Sequence, residues 1–137
     1  ARIESCNFDL RSLGTSSPKA VWVVAASVTA SANVSHCHFH ASLNVKTATD
    51  APLAVYVGAG GHATVTHSRL TGYYIPVYGA MHLNSSTGTL SVDYCTFLIK
   101  SGLRPLFQTA SGGVAGAAVW GAHNTLGAGV AQPSLVS

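Results

Sequence analysis

The chain has 137 residues, which is enough for one folded domain and too few for two ordinary ones. Only 8% of the residues are charged and 47% are hydrophobic, which excludes a disordered chain and disfavours a helical bundle with Glu- and Lys-rich faces. The charged residues behind the net charge of +3 are scattered along the chain, so we predict no nucleic-acid interface. No apolar stretch is long enough for membrane insertion as a helix.

One eight-residue pattern recurs along the chain, in the order apolar, any, apolar, any, any, small, any, large apolar. The units begin at Ala1, Ala32, Ala63, Leu90 and, in a weaker form, Val119. The small residue falls at positions 6, 37, 68, 95 and 124, so the spacings are 31, 31, 27 and 29 residues. A period of this length is the signature of a repeat architecture.

Each unit contains a break in its strand alternation. The first two apolar residues are two apart, as on one face of a strand, but the two residues before the small position shift the phase. We therefore predict a bend there, between two strands. A second apolar run follows each of the first four units, at 20–24, 53–57, 75–77 and 106–107. Two or three short strands per period predict an all-β fold, a parallel β-helix (solenoid) of about four to five coils of 27–31 residues.

The stacking of such coils would bring equivalent residues to about 4.8 Å from one another. One internal column would hold the small residues Cys6, Cys37, Ser68, Cys95 and Asn124. Another would hold the large apolar residues Phe8, Phe39, Leu70, Phe97 and Leu126. The cysteines are therefore interpreted as small core residues rather than ligands or nucleophiles, and the Asn124 side chain as a hydrogen-bonding group along the stack.

Units such as 3–8 (IESCNF) and 92–97 (VDYCTF) resemble the coils of the pectin-lyase-like right-handed parallel β-helix superfamily. The resemblance covers nearly the whole chain. That superfamily includes polysaccharide lyases and hydrolases, bacteriophage tailspikes, bacterial adhesins and capsid proteins of some animal viruses. The resemblance implies the fold and not one function. We assign 1–126 to the coils, as a fragment of a longer solenoid, and 127–137 to an irregular C-terminal tail.

The four carboxylates do not form a catalytic pair in this predicted arrangement. They are Glu4, Asp9, Asp50 and Asp93. Glycoside hydrolysis generally needs two carboxyl groups about 5 to 9.5 Å apart. Glu4 and Asp93 would lie three coils, or about 14 Å, apart. We therefore predict no catalytic residue and no cofactor within the chain, and leave open a site between subunits.

Two outward columns of rings and hydrogen-bonding groups form a stripe. The bend column, directly before the small residue, holds Ser5, His36, His67, Tyr94 and His123. The strand column, two places later, holds Asn7, His38, Arg69, Thr96 and Thr125. The candidate ligand-binding residues are His36, His38, His67, Arg69, Tyr94 and His123. The stripe suits stacking on sugar rings and hydrogen bonds to hydroxyls, or a subunit interface. His36, His38 and His40 alternate, but only His67 could add a third ligand, so we predict no metal site.

Outward aromatic residues, among them Trp22, Tyr56 and Trp120, need cover from a loop or another subunit. This favours an oligomer, and the viral members of the superfamily suggest a homotrimer. We predict a virion structural protein, a tail spike, fibre or capsid-surface protein, that lies outside the cell with other virion proteins and attaches to host-surface glycans. Two alternatives stay open. One is a polysaccharide lyase or glycoside hydrolase acting as a depolymerase, and the other is a bacterial surface adhesin.

Overall fold

The computed structural model describes residues 1–10, 19–25, 29–41, 53–74, 81–84, 87–101, 107–109 and 118–127. These residues form fourteen β-strands and no helix, so the described part of the chain is all-β, as predicted. Accordingly, none of these ranges contains a helix of the length and hydrophobicity that a membrane span requires.

The strands are arranged in three parallel sheets, and each strand pairs with the strand three places further along the chain. Sheet 1 consists of β1 (Arg2–Glu4), β4 (Ala30–Ser35), β7 (Gly61–Thr66), β10 (Thr89–Asp93) and β13 (Ala118–Trp120). Sheet 2 consists of β2 (Asn7–Leu10), β5 (His38–Ala41), β8 (Arg69–Tyr74), β11 (Thr96–Ser101) and β14 (Thr125–Leu126). Sheet 3 consists of β3 (Lys19–Val23), β6 (Leu53–Val57), β9 (Met81–Leu83) and β12 (Phe107–Thr109). Successive repeats thus contribute neighbouring strands to each sheet.

The pairing register of sheet 2 confirms the predicted column of large apolar residues. Phe8 is paired with Phe39, and this column continues through the next three strands to Leu126. The rings of Phe8 and Phe39 are parallel, with centroids 5.0 Å apart. Phe39 and Phe97 are fully buried. Burial of each such side chain stabilises the fold by roughly 2–3 kcal/mol.

The column of small residues is held by hydrogen bonds between repeats. The amide of Cys37 donates to the Ser68 hydroxyl (3.1 Å), and the amide of Cys95 donates to the Asn124 side-chain oxygen (2.9 Å). The Asn124 amide group donates in turn to the Val92 carbonyl (2.9 Å), which confirms the bonding expected along the stack. Cys37 and Cys95 are buried and unbridged, and burial raises the pKa of the Cys95 thiol to about 11. This thiol therefore stays protonated and acts as core.

The register of the fifth repeat differs from the prediction. Val119 and Gly121 were expected to face inward, but Leu90 pairs with Ala118 and Val92 with Trp120. Val119 consequently points outward and is 52% exposed, whereas the Trp120 ring packs on the core with its centroid 5.0 Å from that of Phe97. The prediction of Trp120 as surface was therefore wrong. The physical reason is one extra residue at this bend, after which 125–126 return to register with β11.

Sheet 3 agrees with the predicted apolar runs only in part. The runs at 20–24 and 53–57 correspond to β3 and β6, and Phe107 of the last run begins β12. The run at 75–77 and residue 106 lie outside the described residues, as does 128–137 of the predicted tail. The third strand of this sheet, β9, was not predicted. Its residues Met81, His82 and Leu83 are all buried.

Candidate functional site

The bends between sheets 1 and 2 share one backbone conformation. The residue before the small position has a positive φ in four successive repeats: 56° at Ser5, 54° at His36, 49° at His67 and 53° at Tyr94. This left-handed region is uncommon outside glycine, although His, Asn and Asp enter it more readily than other residues. A single left-handed residue bends the chain sharply between a strand of sheet 1 and a strand of sheet 2, which explains the phase shift in the sequence pattern.

Parallel hydrogen bonding resumes directly after each bend. The amide of His38 donates to the Cys6 carbonyl and that of Arg69 to the Cys37 carbonyl, both at 2.8 Å. These hydrogen bonds therefore hold each bend against the bend of the next repeat. A backbone held in this way fixes the direction of each bend side chain.

Four side chains of the bend column form a continuous stack of rings. The ring centroids of His36 and His67 are 5.1 Å apart with an interplanar angle of 9°. Those of His67 and Tyr94 are 5.1 Å apart at 7°, and those of Tyr94 and His123 are 4.3 Å apart at 3°. All four residues are exposed. The structure thus brings together four of the six candidate ligand-binding residues in one stack of rings.

This geometry changes what the bend column can do. Each face of the His67 and Tyr94 rings is covered by a neighbouring ring, so a sugar ring cannot stack there as expected. The exposed parts are the ring edges, which carry imidazole nitrogens and, at Tyr94, the hydroxyl. The column therefore suits recognition through hydrogen bonds rather than through aromatic stacking.

The other two candidate residues, His38 and Arg69, are paired neighbours in the strand column. The His38 Nε2 atom lies 2.8 Å and the His40 Nδ1 atom 2.9 Å from the Thr71 hydroxyl oxygen. A hydroxyl donates one hydrogen, so one of these nitrogens must carry a proton and donate it. Burial, followed by the charges of Arg69 and His40, lowers the pKa of His38. Thr71 was missed by the sequence reasoning. Its position two residues after Arg69 places it on the same strand face, which indicates that it lies next to the strand column.

Three basic groups of the stripe remain open within the described part of the chain. The ring nitrogens of His36 and His67 and the guanidinium of Arg69 have no hydrogen-bond or ion-pair partner among those residues, and all three side chains are exposed. His38 and His40 differ, because both are bonded to Thr71. These three open basic groups lie on two successive repeats.

Asp93 positions the last ring of the stack, that of His123. Its Oδ1 atom accepts the amides of Tyr94 (2.9 Å) and His123 (3.0 Å), and its Oδ2 atom lies 3.1 Å from the His123 Nδ1 atom. The hydrogen bond from the His123 side chain is the main cause of the lowered Asp93 pKa. The sequence reasoning considered Asp93 only as a catalytic carboxylate and missed this role.

A second group of aromatic side chains lies on sheet 3. Trp22 is paired with Tyr56, and Tyr56 with His82. Trp22 is 62% exposed and meets the Tyr56 ring edge-on, while the Lys19 ammonium lies over both rings at 5.2 and 5.1 Å from their centroids. The Asn84 amide donates to the Tyr56 hydroxyl. The outward positions predicted for Trp22 and Tyr56 are consistent with this pairing.

No group of three or more His, Cys, Asp or Glu side chains in the described ranges is placed to hold a metal ion. Comparison with protein-family models, with curated proteins and with solved structures finds no match to this chain.

Proposed function

We propose that the three parallel sheets are the faces of a right-handed parallel β-helix, and that the chain belongs to a trimeric virion surface protein that attaches to host glycans. The proposed protein is a tail spike, fibre or capsid-surface protein, placed on the virion with other virion proteins. The observation that carries the proposal is the exposed file of ring edges formed by His36, His67, Tyr94 and His123 beside Arg69.

The physical basis is preorganisation. Groups fixed by their backbone lose little conformational entropy when they bind a ligand. The bend residues are fixed by inter-repeat hydrogen bonds and by mutual stacking, so the rings of His36, His67 and Tyr94 follow one another with centroids 5.1 Å apart. A linear polymer with hydroxyl groups at regular intervals is the kind of ligand that such a file would suit.

The trimer is supported by the apolar outward surface. Trp22, Leu98 and Val119 are each more than 40% exposed and lie on three different sheets, and the similarly exposed Val24 directly follows β3. A single exposed apolar residue is ordinary, but exposed apolar side chains on all three sheets would be covered by burial between subunits. Light scattering coupled to size exclusion would give three times the mass of the chain for a trimer. A monomer would contradict this part of the proposal.

Glycan attachment is tested with an array of immobilised glycans and the double variant His67→Asn with Arg69→Gln. Asn is chosen because it tolerates the left-handed backbone at position 67. Wild-type protein should bind a subset of the glycans, and the double variant should lose about tenfold or more in affinity. Absence of wild-type binding to any glycan on the array would contradict the proposed function.

A polysaccharide-cleaving enzyme is the second candidate, and the pairing of Asp93 with His123 favours it. A carboxylate bonded to the Nδ1 atom leaves the Nε2 atom of an imidazole as an acceptor, which is the arrangement of a general base. Incubation with uronate-containing and neutral polysaccharides, followed by assay for new reducing ends and unsaturated products, distinguishes the two candidates. Product formation that His123→Gln abolishes would replace attachment by catalysis.

A further inference from the structure

The open donors of the stripe indicate the chemical class of its ligand. We infer that the surface formed by His36, His67 and Arg69 binds the carboxylate or sulfate groups of an acidic polysaccharide. This inference rests on the proposed glycan binding and goes beyond it, because a neutral glycan would satisfy the proposed function equally well.

The first support is the difference between engaged and open groups. His38 and His40 both bond to the Thr71 hydroxyl, His62 to the Thr89 hydroxyl (2.8 Å), and His123 to Asp93. The imidazoles of His36 and His67 have no such partner within the described residues, and they lie next to each other in the stack. Two neighbouring imidazoles with free nitrogens present N–H donors on rings whose centroids are 5.1 Å apart.

The second support is the charge of Arg69. Its guanidinium is exposed and has no carboxylate partner in the described part of the chain. Its positive charge contributes to the lowered pKa of His38, after burial of that ring, so the charge acts on this face of the stripe. A planar guanidinium matches the geometry of a carboxylate or sulfate with two parallel hydrogen bonds.

The third support is the placement of the described carboxylates. Asp93 is occupied by His123, and Glu4 is paired with Arg2 at 2.7 Å. Asp9 is in register with His40 on β5 and therefore lies two strands away from Arg69 on β8. The middle of the stripe thus carries hydrogen-bond donors and positive charge, and the described carboxylates lie nearer to its two ends. This distribution favours an anionic ligand.

The test compares matched acidic and neutral polymers by calorimetry or biolayer interferometry. Dextran sulfate is compared with dextran, and polygalacturonate with its fully methyl-esterified form, so each pair differs only in its anionic groups. We expect the acidic member of at least one pair to bind about tenfold or more tightly than its neutral partner. The two pairs separate sulfate from carboxylate recognition.

The variants are chosen to preserve the fold. His36→Asn with His67→Asn keeps residues that accept a positive φ, and Arg69→Gln removes the charge. Lys19→Gln on sheet 3 is the matched control, because it removes the same charge from a different face. Thermal unfolding and the far-ultraviolet circular dichroism of each variant verify folding. Both stripe variants should weaken binding of the acidic polymer about tenfold, while Lys19→Gln should change it less than about twofold.

Three results would overturn the inference. Equal affinity for the neutral and acidic members of both pairs would show that anionic groups are not recognised, while glycan attachment would stand. An equal loss with Lys19→Gln would show general charge attraction rather than a site. Absence of binding to all four polymers would also reject the acidic ligand. The proposed function is tested separately, by the glycan array.

Discussion

The ring of His123 lies parallel to that of Tyr94, with centroids 4.3 Å apart and an interplanar angle of 3°, although the two residues belong to bends of different length. The bend at Tyr94 uses one left-handed residue, whereas the bend before Asn124 contains an extra residue. The Asp93 carboxylate bridges this difference by binding the His123 amide and its imidazole. The stack therefore continues across an insertion because one carboxylate positions the last ring.

We predict that Asp93→Ala destabilises the protein at neutral pH and displaces the His123 ring. The variant removes the acceptor of two amides and one imidazole. The hydrogen bond from His123 is the first cause of the lowered Asp93 pKa, so the stabilisation is present above the ordinary carboxyl value of 3.8 and is lost as the pH falls through the folded-state value. Melting temperatures of the wild type and variant should therefore differ at pH 7 and converge well below pH 3.8.

The matched control for this prediction is Glu4→Ala. Glu4 holds the place of Asp93 in the first repeat, but its carboxylate pairs with the exposed Arg2 side chain. An exposed ion pair of this kind contributes at most about 1 kcal/mol. An equal loss of melting temperature in both variants would contradict the bridging role of Asp93.

A second prediction concerns the left-handed backbone at His67. His67→Asn should retain most of the stability, because Asn accepts a positive φ, whereas His67→Val should cost about 1–3 kcal/mol, because a β-branched residue is strained there. Urea unfolding gives the free energies. Thr96→Val is the control, since Val suits a strand position. If Val and Asn are equally tolerated at position 67, the left-handed conformation is not maintained in solution.

The internal columns could be predicted from the sequence because stacking forces chemically equivalent residues to recur at a fixed period. Phe8 and Phe39, or Cys37 and Cys95, are recognisable by that recurrence alone. The fifth repeat was misplaced by one residue because both Val119–Gly121 and Ala118–Trp120 satisfy a pattern of two small or apolar residues two apart. Only the tertiary pairing with β10 selects the second.

The stripe was also predictable in its membership and not in its geometry. Alternation places His36, His67 and Tyr94 on one outward file, but whether their rings show faces or edges depends on the φ of each bend. The partners of the strand column depend on a side chain in the neighbouring repeat, as with Thr71. Strand β9 was missed because a buried histidine interrupts its apolar run.

A third prediction is that the buried His82 makes stability depend on pH. Burial, followed by the charge of Lys19, lowers the pKa of His82 from 6.5 to about 4. The folded protein keeps this ring neutral while the unfolded chain takes up a proton below 6.5, so stability is lost as the pH falls from 6.5 to about 4. The loss attributable to His82 is at most about 3 kcal/mol.

Urea unfolding of wild type and His82→Gln between pH 4 and 7 measures this loss. The other titrating groups are common to both proteins, so the difference between the two curves isolates His82. The stability of wild type relative to the variant should fall as the pH approaches 4. Two parallel curves would mean that His82 titrates alike in the folded and unfolded states.

The last prediction concerns Gly72 on β8. Its φ of +97° suits glycine, and a Cβ atom there would collide with the carbonyl oxygen of Ala41 on the neighbouring strand β5. Since backbone cannot move aside without breaking the pairing of sheet 2, Gly72→Ala should cost more than about 3 kcal/mol. The control is Gly58→Ala, where the nearest atom belongs to the exposed side chain of Val24, which can rotate away. We expect the Gly58 variant to remain folded under conditions in which the Gly72 variant is unfolded, as measured by urea denaturation. Equal stability of the two variants would contradict the close approach of β5 and β8 on which the position of the strand column depends.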